Sequence, residues 1–396
     1  MKRLTEKQNN GAMIIGGDFH GLGIVRNLSG SAIPVYVVHP GLCIARFSIF
    51  TDDFFKSPPL EDGETFVQFL IDLAGEKKLS ETVLFPVSDK AVHILSKYRD
   101  SLSRHYLVPT PEWEVTRQAY DKRYTYQLAQ EIGIPIPRTF FPENADDLAG
   151  LPFNFPVILK PSVTANFYPV TQLKAIRANN HDELLRHYFY MSSIIDNKEI
   201  MVQEILPGGP KNLYSFCSLF ANGIVKAKIM AVRLRQHPMD FGSSSTYVIT
   251  CNLPELETLA TQMLQKMKYF GLSEVEFMFD ENDRTFKLLD INPRTWAWHT
   301  LGAAAGVNFS ALLFEEMHNN PVSVDSFETG IKWIRELTDI PVALSEILAG
   351  RLKFGDYVRS LKGKKEWAVS SFRDPLPFFA ELLFMPYLWY KRGFRM

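Results

Sequence analysis

Residues 273–294, SEVEFMFDENDRTFKLLDINPR, constrain the fold of this chain more than any other stretch. Val275, Phe277 and Phe279 alternate with Glu276 and Met278, so in a strand the Glu276 carboxylate projects from the face opposite the aromatic pair. After a polar turn at 280–284, Asp290 and Asn292 share one face of a second strand, with Leu289 and Ile291 on the other. Pro293 stops the ladder just before Arg294. Hard divalent cations such as magnesium take oxygen ligands, and few from the protein are needed when a nucleotide's phosphates complete the shell. Glu276, Asp290 and Asn292 meet that demand. The plain alternative is a hairpin with a solvated acidic turn, but carboxylates set inside apolar strands are costly unless something positive joins them.

At 396 residues the chain is long enough for two or three domains with a real core. Its 46% hydrophobic and 22% charged content place it among ordinary folded proteins and exclude wholesale disorder. A formal net charge of -1 gives no global attraction to nucleic acid or anionic lipid, so no nucleic-acid partner is expected and any basic site must be local. Cys43, Cys217 and Cys251 lie far apart, without the spacing of a zinc site or a disulfide framework. The opening MKRLTEKQNNGAMIIGG lacks the apolar run of a signal peptide, which points to the cytoplasm. No apolar run reaches the roughly 20 residues that span a bilayer.

A short apolar strand at 12–15 runs into Gly16, Gly17, Gly21 and Gly23, then a helical pattern to Leu28 and a strand at 35–38. Such a βαβ opening raises a dinucleotide site. The second strand, however, ends in His39-Pro40, where a nicotinamide site places the acid that holds the ribose diol. A helix over 65–73, a strand at 83–86 and a helix over 90–98 extend a parallel sheet, open to ligands at its carboxyl edge. Asp89 lies at that edge and reads first as a helix cap.

From Tyr120 the pattern changes. DKRYTYQLAQEIGIPIPRTF is a helix closed by Gly133, then an extended Pro-rich piece. Asp121 can cap the helix, whereas Lys122 opposes the dipole at its start, and a phosphate there accounts for it. The apolar strand 155–161 ends in Lys160, a cation such a core does not hold unpaired. Further strands follow at 174–178 and 200–204, and 214–220 pairs with 224–231 across Ala221-Asn222-Gly223. Arg233 and Arg235 then share one face beside Gly242 to Ser245, suited to an oxyanion, with a charged edge strand as the alternative. The amphipathic pattern over 255–270 packs beneath the acidic hairpin. After Arg294 a helix rich in small residues is expected; Trp296, Trp298 and His299 either line a pocket near Arg294 or, by default, pack in the core. The tail from 325 carries weak helical patterns and ends LPFFAELLFMPYLWYKRGFRM, read as docked on the body, with a bilayer surface or a partner as the alternative.

In order along the chain, Asp121-Lys122, Lys160-Pro161, Gln203-Glu204, Glu276 and Asp290-Ile291-Asn292-Pro293-Arg294 resemble the motifs of the ATP-grasp superfamily. The resemblance covers roughly 12–320 and implies an α/β (α+β) ATP-grasp fold. Its expected parts are an N-terminal Rossmann-like parallel-sheet domain (1–119), a small lid subdomain (120–205), a larger antiparallel-sheet subdomain (206–324) and a C-terminal helical tail (325–396). It implies ATP and magnesium, with manganese as the alternative metal. Lys122 and Lys160 would hold phosphates, and main chain around Gln203, Glu204, Ile205 and Leu206 would read the adenine. Glu276, Asp290 and Asn292 would hold the metal, and Arg294 would stabilise the transferring phosphoryl group or the acyl phosphate. Arg233 and Arg235 are weaker candidates for the acceptor carboxylate or γ-phosphate.

Three departures stand out. Asp290 is one methylene shorter than the usual Glu, residues 162–166 lack the glycines of the usual phosphate flap, and Lys211 and Asn212 stand where a Glu would meet the ribose. More narrowly, 241–246, the arginine pair before it and Asp290-x-Asn-Pro-Arg-x-Trp resemble the carboxylate-amine ligase branch, D-aspartate ligase-like enzymes included. That branch implies a small-molecule carboxylate and an amine, such as an amino acid and a cell-envelope precursor, joined through an acyl phosphate. Residues 16–23 and Asp89 would then form the far wall of the substrate cleft. A non-catalytic nucleotide-binding module and a nicotinamide-dependent oxidoreductase are the rival readings, and oligomeric state is not legible.

Overall fold

The computed structural model describes residues 10–239, 242 and 244–391, with 387–391 as backbone only. Four short, mostly buried strands make the first sheet: β1 (Ala12–Ile15), β2 (Val35–His39), β3 (Asp53–Lys56) and β4 (Val83–Pro86). All pair parallel in the order β3-β2-β1-β4. Apolar runs such as AMII suit strands covered on both faces. The flanking helices start on side-chain caps: Asp18 for Phe19–Leu28, Asp62 for Gly63–Lys77 and Ser88 for Asp89–Lys97. At the first turn Gly16 takes φ 120°, a region glycine alone adopts readily. The Gly17 amide donates to His39 Nδ1 at 3.2 Å, so a histidine fills the end of β2.

The second sheet has the order β5-β8-β6-β7, from β5 (Thr139–Phe140), β6 (Val157–Pro161), β7 (Ile176–Ala178) and β8 (Ile200–Glu204), and its pairs are antiparallel. Helix His181–Ser192, capped by Asn180, covers one face with Leu184, Tyr188 and Met191. This sheet falls within the stretch 120–205 expected as the lid. Helix Lys122–Glu131 belongs to the larger body, because Ala129 and Ile134 share a core with Met263, Val275 and Ile291.

The third sheet contains seven strands in the order β13-β12-β9-β10-β11-β14-β15. They are β9 (Leu213–Ala221), β10 (Ile224–His237), β11 (Ser244–Cys251), β12 (Gly271–Asp280), β13 (Thr285–Asn292), β14 (Lys332–Ile334) and β15 (Lys365–Trp367). The β9–β10 hairpin turns on Asn222 and Gly223, both at positive φ, whose backbone twist matches that of paired strands. Both faces are buried. Phe216 and Phe220 of β9 point into the core built on helix Pro254–Met267, while Cys217 and Leu219 point into the other core. That second core also holds Ile14 and Leu22, so the N-terminal sheet and the body are welded by shared apolar packing. Two expectations change here. The tail is not purely helical, since β14 and β15 extend the third sheet. The helix after Arg294 is two, Thr300–Ala304 and Phe309–Met317, broken at Gly306 with φ 97°. Among the described residues no helix is long and apolar enough to cross a membrane.

Candidate active site

In the β12–β13 ladder Glu276 stands opposite Asp290 and Glu274 opposite Asn292. Directly opposed residues put their side chains on one face, about 5 Å apart at Cβ, which fixes the cluster. From β10, two strands away, the Arg233 guanidinium donates to Glu276 Oε1 at 3.2 Å and lies 3.9 Å from Glu274. Asn292 Nδ2 donates to Glu274 at 3.0 Å and to Glu276 at 3.1 Å, while Ser215 Oγ donates to Glu274 at 2.9 Å. The two glutamates behave differently. Burial, then the neighbouring Glu276 charge, pushes Glu274 up to about 7. Burial also raises Glu276, but the charges of Arg233 and Lys174 outweigh it and hold that carboxyl below its ordinary range.

Two lysines reach this face from elsewhere. Asp121 caps helix Lys122–Glu131 by accepting from the Arg123 amide at 3.0 Å, and the Lys122 ammonium then lies 2.9 Å from Asp290. Lys160, near the end of β6, donates to Gln203 Oε1 at 2.9 Å. Gln203 in turn donates to Tyr126 Oη at 3.1 Å, and Tyr126 donates to the Leu289 carbonyl at 3.0 Å. This chain of hydrogen bonds ties the lid to β13. Burial, then the Lys122 charge, pulls Lys160 down to about 8. Lys174, before β7, is lowered by burial while the Glu276 charge opposes the shift.

Arg294 follows β13. Its Nε donates to Asp89 Oδ1 at 2.5 Å and another of its nitrogens to Asn292 Oδ1 at 3.3 Å. A cavity at this junction is lined by Asp89, Tyr120, Lys122, Thr164, Asp290 and Asn292, from the N-terminal sheet, the lid and the acidic hairpin. At the lid's exit, the Glu204 carboxylate accepts from the Arg138 amide and Nε at 2.8 and 2.7 Å, with Lys287 at 3.6 Å. Ile205 and the buried Leu206 follow, past the end of β8.

No family model matches this chain. It is 22% identical over 292 residues to the D-aspartate ligase of Enterococcus faecium (strain Aus0004), covering 69% of this chain and 68% of that protein. Its fold is similar to the biotin carboxylase domain of 2-oxoglutarate carboxylase from Hydrogenobacter thermophilus, solved with MgADP, ADP and bicarbonate. There the TM-score is 0.64 at 13% identity, over 81% of this chain and 73% of that one. It is also similar to L-amino acid ligase from Bacillus licheniformis, with TM-score 0.60 at 16% identity over 81% and 76%. A third is N5-carboxyaminoimidazole synthetase from Staphylococcus aureus complexed with ADP, with TM-score 0.61 at 15% identity over 81% and 79%. The chain has the ATP-grasp fold.

Within that fold the structure brings Lys122, Arg233, Glu276, Asp290, Asn292 and Arg294 together on one face and sets Lys160 and Gln203 across from it. It does not bring Arg235 there. The β10–β11 register slips between Arg233 and Arg235, and Arg235 forks onto Asp339 at 2.8 Å twice, stacked 3.9 Å over the Tyr247 ring. Its expected substrate contact is therefore corrected to an internal anchor. Asp89 corrects the other way: Ser88 is the cap, and the Asp89 carboxylate is spent on Arg294. Trp296, Trp298 and His299 are fully buried in the core, with His299 pushed down to about 3 by burial. The glycine-free flap region is helix Thr164–Thr171, and the Asn166 amide donates to Glu199. Asn212 donates to Glu281 at 2.9 Å beside Lys211. In the 241–246 run, Phe241 and Ser243 lie outside the described residues.

Glu274, Lys174 and Tyr126 were not singled out from sequence. Glu274 is two residues before Glu276 in the same alternation, so period 2 alone places it on the acidic face. Lys174 sits in a loop and carries no local signal. Among the described residues no group of three or more His, Cys, Asp or Glu could hold a metal alone. Glu276 and Asp290 offer two carboxylates, and Asn292 presents its amide nitrogen to the glutamates, so a half-turn of that amide is needed to add a third oxygen.

Proposed function

We propose that this protein is an ATP-dependent carboxylate–amine ligase that forms an amide bond through an acyl phosphate. The observation that carries this reading is the arrival of Lys122, Arg233 and Arg294, from three separated stretches, on the face where Glu276 stands opposite Asp290. Those pairs neutralise each other in the protein alone. They also supply what a nucleotide triphosphate with a divalent cation requires, an oxygen-only donor set facing fixed positive charges.

In this reading Glu276 and Asp290 hold magnesium, with Asn292 joining by rotation of its amide. Lys122 and Lys160 hold phosphate oxygens, and the main chain around Ile205 and Leu206 meets the adenine. When bound, magnesium-ATP supplies an electrophilic γ-phosphoryl group. The residues do the rest by position and charge. Arg294, held by Asp89, orients the substrate carboxylate, one oxygen of which bonds to phosphorus as the bond to ADP breaks. Arg233 and Arg294 balance the charge on the phosphoryl oxygens. The amine nitrogen then bonds to the acyl carbon, phosphate departs, and the nitrogen loses a proton. No protein nucleophile is required.

The test is ADP release by the full chain with magnesium, across carboxylates and amines. D-aspartate is the first carboxylate to try, because the curated relative carries that name. ADP is expected only when both substrates are present, and Asp290→Ala is expected to abolish it. ATP binding without stimulated release by any pair would instead support a non-catalytic nucleotide-binding module. The nicotinamide reading is disfavoured by His39, whose ring accepts from Gly17 at 3.2 Å where a ribose-binding acid would stand.

A further inference from the structure

In sequence the terminal helix Leu376–Lys391 is apolar or aromatic from Leu376 to Tyr390 but for Glu381. Its inner face is docked: Pro377, Ala380 and Glu381 are buried, Glu381 pairs with Arg335, and the Phe384 ring lies 5.8 Å from that of Phe47. Its outer face has no such cover. Leu376, Phe379, Leu382 and Met385 are exposed there, and Leu383 is 78% exposed. The neighbouring turn Ala45–Phe47 continues this surface through Phe47, with Ile49, 61% exposed, tied by its amide to Asp374 just before the helix. An apolar face of this extent seldom stays in water.

Charge identifies the occupant. From Pro375 to the last residue the sequence holds one acid, Glu381, already neutralised by Arg335, against Lys391, Arg392 and Arg395. Tyr387, Trp389 and Tyr390 immediately precede those cations in the sequence. Apolar side chains with aromatics and cations gathered at one end are the composition of a helix that lies at an interface, its apolar side toward acyl chains and its cations among anionic headgroups. At 16 residues the helix is about 24 Å long, short of a bilayer's apolar core, so it would lie in the plane of the interface.

We propose that the terminal helix, with the turn Ala45–Phe47 beside it, docks this protein on an anionic lipid bilayer. The experiment is co-sedimentation of the full-length protein with vesicles of phosphatidylcholine, with and without phosphatidylglycerol. Binding to the mixed vesicles is expected, weakening as salt rises and nearly absent on phosphatidylcholine alone. Leu383→Glu should weaken it about tenfold or more. Combined Lys391→Glu, Arg392→Glu and Arg395→Glu should weaken it on the order of a hundredfold. The thermal midpoint and the activity in solution should stay unchanged for both, which separates lost docking from misfolding. The proposal is overturned if neither vesicle pellets the protein, or if both do equally and without regard to the substitutions. A dimer in light scattering that Leu383→Glu dissolves, with no vesicle binding, would assign the face to a second copy instead.

Discussion

Lys160 stands near the end of a strand whose preceding residues, Val157, Ile158 and Leu159, are buried, and that placement sets its chemistry. Its amine is pulled down to about 8 by burial and the Lys122 charge. The sign follows directly: Lys160 is cationic below that pH and neutral above it, so phosphate binding should be lost as pH rises. We expect kcat/KM for ATP, which reports the free enzyme, to fall through about pH 8, and Lys160→Arg to remove that limb of the profile. The two arginines of β10 make a second case. Sequence sees them only as two residues apart, yet Arg233 meets Glu276 and Arg235 meets Asp339. Arg235→Ala should lower stability in urea by about 3–5 kcal/mol, because Asp339 is left buried and unpaired. KM for both substrates should hold. Arg233→Ala should instead lower kcat/KM by about 10²–10³-fold while ADP still binds.

At the scale of elements, helix Phe19–Leu28 shows how a glycine records a neighbour the sequence does not name. A Cβ added at Gly23 would lie 2.7 Å from the His299 ring and 2.7 Å from Thr300. In an isolated helix Gly→Ala gains about 1 kcal/mol. Here the ring is fully buried and cannot swing aside, and overpacking costs about 1–3 kcal/mol, so the clash should win. Gly23→Ala is therefore expected to lower the thermal midpoint, with His299→Ala in the same chain restoring part of the loss. The β12–β13 hairpin behaves in the opposite way. Alternation and a polar turn declare it, although the register that opposes Glu276 to Asp290 depends on a one-residue shift of the ladder between Glu276 and Phe277, which alternation alone does not give. The region 162–166 was not legible: the sequence shows only that the usual flap glycines are missing, and from Thr164 the chain folds as helix Thr164–Thr171.

Across the whole molecule a buried acid joins the tail to the helix and turn that flank the first sheet, beside the apolar packing they share. Asp374 is fully buried and accepts from Arg26 at 3.0 Å, Ser48 at 2.8 Å and the Ile49 amide at 3.0 Å. Asp374→Ala should cost about 3–5 kcal/mol in urea, since three donors lose their acceptor, and should expose the tail to limited proteolysis before the body. Both the shared core of the N-terminal sheet and the body and this clasp join residues hundreds of positions apart. The chain's own order of letters determined the acidic hairpin, the cap at Asp121 that starts the helix of Lys122, the parallel opening sheet and the sequence of motifs, because each rests on periodicity and turn chemistry within a few residues. Only the tertiary structure decided that Asp89 serves Arg294, that Arg235 serves Asp339, and that the tail completes a sheet begun more than a hundred residues earlier. A buried charge takes whichever opposite charge the packed fold delivers to it, and local sequence carries no record of that delivery.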